Sequence, residues 1–122
     1  MTQNSPSALI DAMKPQAEGK FLVTGYAVDF GSDLSTVKLR IQRLSDTTYW
    51  DGELWTHHPN TWLLAEGTSR WSLSVHLQAG SYEIVAFASD ISGNVQRWAD
   101  NRARRRITVE SSAIDLPTSY YV

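Results

Sequence analysis

An all-β fold is predicted by three features of the amino-acid sequence. Apolar and polar residues alternate with a period of two in several short segments, as in strands whose two faces meet different surroundings. Glycine and aspartate recur at short intervals between these segments, which is typical of tight turns. Between residues 20 and 110 no window shows the 3.6-residue period of an amphipathic helix. We therefore expect antiparallel strands rather than a helical or α/β fold.

The size and composition of the chain are those of one globular domain. It has 122 residues, 42% of them hydrophobic and 20% charged, so it is long enough to bury a core of its own. The absence of cysteine excludes disulfides, thiolate metal sites and cysteine nucleophiles. The net charge of −2 neither steers the chain towards nucleic acid nor strongly repels it, and we do not expect a nucleic acid partner. No apolar run is long enough for a membrane span, and no export signal is found in the chain.

The expected elements follow one another with short connections. Near the start, ALIDAM is either a first strand or a helical turn. The strands expected after it are 21–28, 36–44, 48–50, 53–55, 61–66, 70–77, 81–89 and 104–110. The clearest is 36–44, in which Val37, Leu39 and Ile41 share one face. In 70–77 the corresponding inward face is formed by Trp71, Leu73, Val75 and Leu77.

Two local patterns predict specific turns. The pair Asp51-Gly52 favours a two-residue type I′ hairpin, with Trp50 opposite Glu53 and Tyr49 opposite Leu54. A tryptophan near the tip of a hairpin could also bind a sugar or a partner protein. Packing across the two strands is the favoured interpretation of Trp50.

The second pattern is an internal repeat. The segments GYAVDFGSDLSTVKLRI and VAFASDISGNVQRW both place a small apolar residue and an aspartate before a Gly/Ser turn, which matches Asp29 with Asp90. We expect both carboxylates to accept backbone N–H bonds of the turns that follow them.

These segments resemble the bacterial immunoglobulin-like, fibronectin-III-like modules of secreted and cell-surface proteins. The likeness lies in VTGYAVDFGSDLSTVKLRIQRL, TYWDGELW and TWLLAEGTSRWSLSVHLQAGSYEIVAFASDISGNVQ, within residues 23–96. It implies an immunoglobulin-like two-sheet antiparallel β-sandwich with Greek-key connections over residues 20–110. Residues 1–19 are then an N-terminal edge strand or linker, and residues 111–122 a C-terminal tail or linker. The sequence departs from the family after Gln96, where RWADNRARRR is more basic than expected.

The resemblance also implies a function. Such modules are usually non-catalytic interaction, adhesion or spacer units of bacterial extracellular or cell-surface proteins, and their partners are neighbouring modules or another protein. The three histidines, His57, His58 and His76, form no recognisable catalytic or metal motif, so we expect no enzyme activity. The alternatives are a carbohydrate-binding module and a phage or other self-assembling structural subunit.

The aromatic residues are the first candidate ligand site. Trp71 and Tyr82 occupy the inward phase of well-patterned strands and are expected in the core. Trp50, Trp55, Trp62 and Trp98 lie near turns or strand ends. If two or three of these rings are exposed and coplanar, they form a platform for sugar rings or proline-rich segments.

The arginine-rich segment is a second candidate ligand site. Arg97, Arg102, Arg104, Arg105 and Arg106 lie within ten positions and suit a polysaccharide carrying sulfates or another polyanion. Protection of a sheet edge is the favoured interpretation, with Arg104 and Arg106 facing water and Ile107 and Val109 facing inward.

Calcium is a more reasonable ion for this chain than a metal bound by His57 and His58. Asp29, Asp33, Asp90 and Asn94 supply hard oxygen ligands, and in an immunoglobulin-like sandwich the two turns that carry them can lie at one end. Turn capping explains the same residues without a metal and is favoured, so no cofactor is expected.

Overall fold

The computed structural model describes residues 6–12, 16–17, 19–29, 31–96 and 103–111. Three candidate site residues, Arg97, Trp98 and Arg102, lie outside these ranges. The described residues form strands and no helix, and so contain no helix that could cross a membrane. The strands are β1 (Ser7–Ile10), β2 (Gln16–Ala17), β3 (Gly19–Val28), β4 (Leu34–Arg43), β5 (Thr48–Trp50), β6 (Trp55–Thr56), β7 (Leu63–Leu64), β8 (Glu66–Gly67), β9 (Arg70–Leu77), β10 (Gly80–Asp90) and β11 (Arg104–Glu110).

The strands build two sheets. In the first sheet the order is β1-β3-β9-β8, and in the second it is β2-β11-β10-β4-β5-β6, with β7 also paired to β4. All pairs are antiparallel except the short contact between β2 and β11. Strands distant in the chain lie side by side, as β3 and β9 or β4 and β10 do. This is the antiparallel sandwich with Greek-key connections that the resemblance implied.

The core lies between the inner faces of the two sheets. Val37, Leu39 and Ile41 on β4 are fully buried, which confirms the face predicted from their alternation. Trp71 and Tyr82 are buried as expected, at 3% and 1% exposure. Gly25 allows the sheet to pack there, because a Cβ on it would overlap the Trp71 indole and the Leu9 carbonyl. Other buried side chains are Ala8, Ile10, Phe21, Val23, Val75 and Leu77 from the first sheet, and Ile84, Ala86, Ala88 and Val109 from the second.

The hairpin turn differs from the prediction. Trp50 lies opposite Trp55 and Tyr49 opposite Thr56, so four residues rather than two form the turn. The Asp51 side chain closes this turn, since its Oδ1 accepts the N–H groups of Glu53 and Leu54, both at 2.8 Å. Gly52 still takes the positive φ, 106°, that its place in the turn requires.

The segment predicted as strand 61–66 is also different. Leu63–Leu64 pairs with β4 in the second sheet, whereas Glu66–Gly67 pairs with β9 in the first. The chain therefore crosses between the sheets here, and each half forms a strand of only two residues. Near the N-terminus, ALIDAM contributes to strand β1 and not to a helical turn.

Candidate functional site

Two of the candidate tryptophans lie together on the β5–β6 hairpin. Trp50 and Trp55 are a cross-strand pair whose ring centroids are 5.2 Å apart and whose planes are tilted by 49°. Both are half-buried and pack against the core. Their rings therefore turn toward the interior of the sandwich and do not form a coplanar surface.

A cleft opens beside this pair. A cavity of about 370 Å³ is lined by Arg43, Trp50, Trp55, His76, Gln78 and Tyr82. Trp55 stacks on Tyr82, with centroids 5.7 Å apart and planes inclined by 26°. The Arg43 guanidinium lies 4.5 Å from the centroid of the Trp55 ring. The Tyr82 hydroxyl donates to the Gln78 carbonyl at 2.7 Å, which fixes the start of β10 against the end of β9.

The charge in the cleft is compensated. Arg43 donates from Nε and Nη2 to the two carboxylate oxygens of Asp46, at 3.1 and 2.7 Å. The Arg43 guanidinium and the Thr48 hydroxyl hold the pKa of the Asp46 carboxyl group well below its usual range. The walls of the cleft are therefore aromatic and polar, without an uncompensated charge from this arginine.

Trp62 occupies a different face of the molecule. Its ring lies 5.1 Å from the Phe87 ring and 5.1 Å from the Arg40 guanidinium, which also lies over Tyr49 at 5.4 Å. Arg40 and Phe87 alternate with the buried residues of β4 and β10, so they stand on the outer face of the second sheet. The structure thus brings Trp50 and Trp55 together but separates Trp62 from them.

The arginines of β11 alternate as predicted. Arg104 and Arg106 are exposed, and both donate to the Glu83 carboxylate, at 3.0 and 3.2 Å. Arg105 points the other way and donates from Nε and Nη2 to the Ile10 carbonyl of the first sheet. The hydrogen bonds of these arginines connect β11 to β10 and to β1. Binding of a polyanion by them stays a prediction.

The two aspartate turns lie side by side at one end of the sandwich. Asp29 Oδ1 accepts the N–H groups of Gly31 and Ser32, and Asp90 Oδ1 accepts those of Ser92 and Asn94. The turns contact each other, because the Ile91 N–H group donates to the Asp33 carbonyl at 2.9 Å. Both aspartates therefore cap their own turns, as their spacing predicted.

Two of the predicted calcium ligands, the carboxylates of Asp29 and Asp90, are neighbours in the structure. The Asp29 side chain lies against that of Asp90, and Asp29 Oδ2 is buried and accepts no hydrogen bond. Burial raises the pKa of the Asp90 carboxyl group, but hydrogen bonds from Asn94, the Asp29 contact and the Ser92 amide outweigh it and leave the pKa lowered. Among the described residues no three carboxylate or imidazole side chains come close enough to hold a metal ion. Calcium binding stays a prediction.

Arg43 in the cleft and the buried Gln96 were not predicted from the sequence. Arg43 continues the inward phase of Val37, Leu39 and Ile41 on β4, so the alternation itself contained the signal. Gln96 is buried and its Oε1 accepts the N–H groups of Ala8 and Ala88, which no local pattern indicates.

This chain is similar to known proteins in its fold. No protein-family model matches the chain, and no curated protein matches it. Among solved structures, fibronectin(III)-like modules of CbhA from Clostridium thermocellum superpose with a TM-score of 0.61 at 14% identity. The match covers 99% of this chain and 55% of that one, so this chain spans about half the length of the matched structure. This similarity confirms the fibronectin-III-like sandwich.

Proposed function

We propose that this chain is a non-catalytic fibronectin-III-like module that connects or contacts neighbouring modules of a bacterial extracellular or cell-surface protein. The observation that carries the proposal is the likeness of fold, over 99% of the chain, to the CbhA fibronectin(III)-like modules. A rigid sandwich of this kind suits a spacer, because its core fixes the distance between the first and last strands.

The environment of the ionisable groups supports a non-catalytic role. The carboxyl groups whose pKa values are lowered, Asp46, Asp51 and Asp90, all accept hydrogen bonds from turn amides or from a neighbouring arginine. Catalytic acids are instead held near the working pH and aimed at a substrate pocket. His57 and His58 are exposed in the loop after β6.

A distance measurement tests the spacer role. The chain has no cysteine, so the variant Ser7→Cys plus Ser111→Cys accepts a dye pair at the start of β1 and just after β11. We expect one narrow distance distribution that persists until a single cooperative unfolding transition. A broad distribution in the folded protein contradicts the spacer role, and turnover of chromogenic ester, glycoside or phosphate substrates contradicts the non-catalytic one.

Carbohydrate binding is not favoured as a second function by the described tryptophans. Flat polysaccharides stack on coplanar exposed rings, but Trp50 and Trp55 are tilted by 49° and half-buried, and Trp62 lies on another face.

A further inference from the structure

The two edges of strand β9 differ in their hydrogen bonding. The Ala27 N–H group donates to the Ser69 carbonyl, one step beyond the last registered pair, Tyr26 with Arg70. In an antiparallel pair the bonded positions alternate, so odd-numbered residues of β9 exchange bonds with β3. The even-numbered residues point their N–H and C=O groups to the opposite edge.

That opposite edge is only partly occupied. Ser72 meets Glu66 of the two-residue strand β8. Beyond it, no strand lies against Ser74 and His76 in the part of the chain that the structure describes. Two residues therefore present two N–H donors and two C=O acceptors in the spacing of a β-ladder.

The edge of β9 lacks the usual protection. Residues 71–78, WSLSVHLQ, contain no aspartate, glutamate, lysine, arginine or proline. The edge of β1 is closed by contrast, since the Ala8 N–H group donates to Gln96 and the Ile10 carbonyl accepts from Arg105. Strand β11 carries three consecutive arginines. Proteins that do not use an edge normally block it with charge, proline or a covering side chain.

The cleft described above adjoins this open edge at His76. His76 and Gln78, at the end of β9, form one wall, and Trp50 and Trp55 belong to another. Arg43 at the cleft is paired with Asp46 through two hydrogen bonds, so a charged side chain entering the cleft finds no free counter-charge there.

We propose that the open edge of β9 binds an extended, uncharged peptide segment of another protein by strand addition, with an apolar side chain of that segment in the Trp50–Trp55 cleft. The ladder groups of Ser74 and His76 supply backbone recognition, and the cleft selects the side chain. This inference rests on the interaction role proposed above and adds the kind of partner. The spacer role does not depend on it.

Amide hydrogen exchange tests the edge in the protein alone. The amides of Leu73 and Val75 bond to β3, whereas those of Ser74 and His76 face the open edge, so we expect exchange at least about tenfold faster at the latter two. Equal protection at all four amides overturns the assignment of the open edge.

Peptide binding tests the partner. The probe is a fluorescein-labelled peptide with an uncharged core of alternating threonine and valine, and a lysine outside each end of that core keeps it in solution. The matched probe carries a central proline. We expect saturable fluorescence anisotropy with the first probe only, together with slower exchange at the Ser74 and His76 amides.

Substitutions at Ser74 connect binding to the edge. Ser74→Pro removes the outward N–H group without touching the β3 ladder, so it should weaken binding about tenfold or more. The control, Ser35→Ala at an exposed position of β4, leaves the β9 edge intact and should keep the affinity within about twofold. Ser74→Lys, which places a charge beside the edge, provides a second blocking variant should the proline variant not fold.

Besides equal protection of the four amides, three results overturn the proposal: no saturable binding, binding that Ser74→Pro and Ser74→Lys leave unchanged, or a homodimer that these variants dissociate. The last result would assign the edge to a second copy of this chain. Each of these outcomes is independent of the distance measurement that tests the spacer role.

Discussion

At the residue scale, a single glutamine joins the two sheets. Gln96 Oε1 accepts the Ala8 N–H group of β1 at 2.9 Å and the Ala88 N–H group of β10 at 3.1 Å. All three residues are buried. A buried amide without an acceptor costs more than an average hydrogen bond contributes, so this side chain, which accepts from two such amides, has a large influence on stability.

Removal of that acceptor should destabilise the fold. Gln96→Ala leaves two buried N–H groups unpaired, and we expect a loss of about 2–4 kcal/mol in the free energy of unfolding. Urea denaturation near neutral pH measures it. The matched control, Gln78→Ala, changes an exposed side chain and should stay within about 0.5 kcal/mol. Equal stabilities for the two variants would contradict this role.

At the scale of elements, β11 shows how alternation divides one run of arginines. Arg104 and Arg106 face water beside Glu83, while Arg105 reaches the Ile10 carbonyl on the other sheet. The sequence predicted the outward pair and the inward Ile107 and Val109, since these follow from the period of two. The partner of Arg105 was not predictable, because Ile10 lies 95 residues away in the chain.

The arginines of β11 should therefore differ in their effect on stability. Arg105→Ala removes two charge-assisted bonds to a carbonyl, and we expect a loss of about 1–2 kcal/mol. Arg106→Ala breaks an ion pair whose arginine side chain is 73% exposed, and it should cost less than about 0.5 kcal/mol. Thermal and urea unfolding of both variants provide the comparison. A larger effect at Arg106 would show that the contact between the sheets is unimportant.

The register of the β5–β6 hairpin was not predictable from the turn dipeptide. Asp51-Gly52 correctly marked a turn, but the Asp51 side chain stabilises a four-residue turn and so moves Trp55 opposite Trp50. The same shift sets the tilted aromatic pair at the cleft. A side-chain hydrogen bond thus decided the register that the dipeptide alone left open.

At the scale of the whole molecule, stability should depend on pH through the turn carboxylates. The pKa values of Asp46, Asp51 and Asp90 are lowered in the folded chain. The unfolded chain therefore binds more protons at acidic pH, and stability rises with pH in that range. Their contribution is complete above about pH 5 and is lost as the pH falls through about 4 and below.

This dependence is measurable by thermal unfolding between about pH 7 and pH 2.5. We expect a plateau followed by a steep fall in the melting temperature below about pH 4. Asp46→Asn removes one of the three groups, so the variant should start from a lower melting temperature and show a shallower fall. If the melting temperature of the variant fell as steeply below about pH 4 as that of the unsubstituted chain, the pKa of Asp46 would be the same in the folded and the unfolded chain.

The sequence by itself determined the all-β class, the inward faces of β4 and β9, and the capping of turns by Asp29 and Asp90. These properties are local, because the side-chain period of a strand and the reach of an aspartate span only a few residues. The tertiary structure alone decided that residues 63–67 cross between sheets and that Trp62 lies apart from the Trp50–Trp55 pair. It also decided that no strand among the described residues covers the edge of β9 at Ser74 and His76. These depend on which distant strands pair and where each pairing ends, and the alternating pattern of one strand does not specify its neighbour.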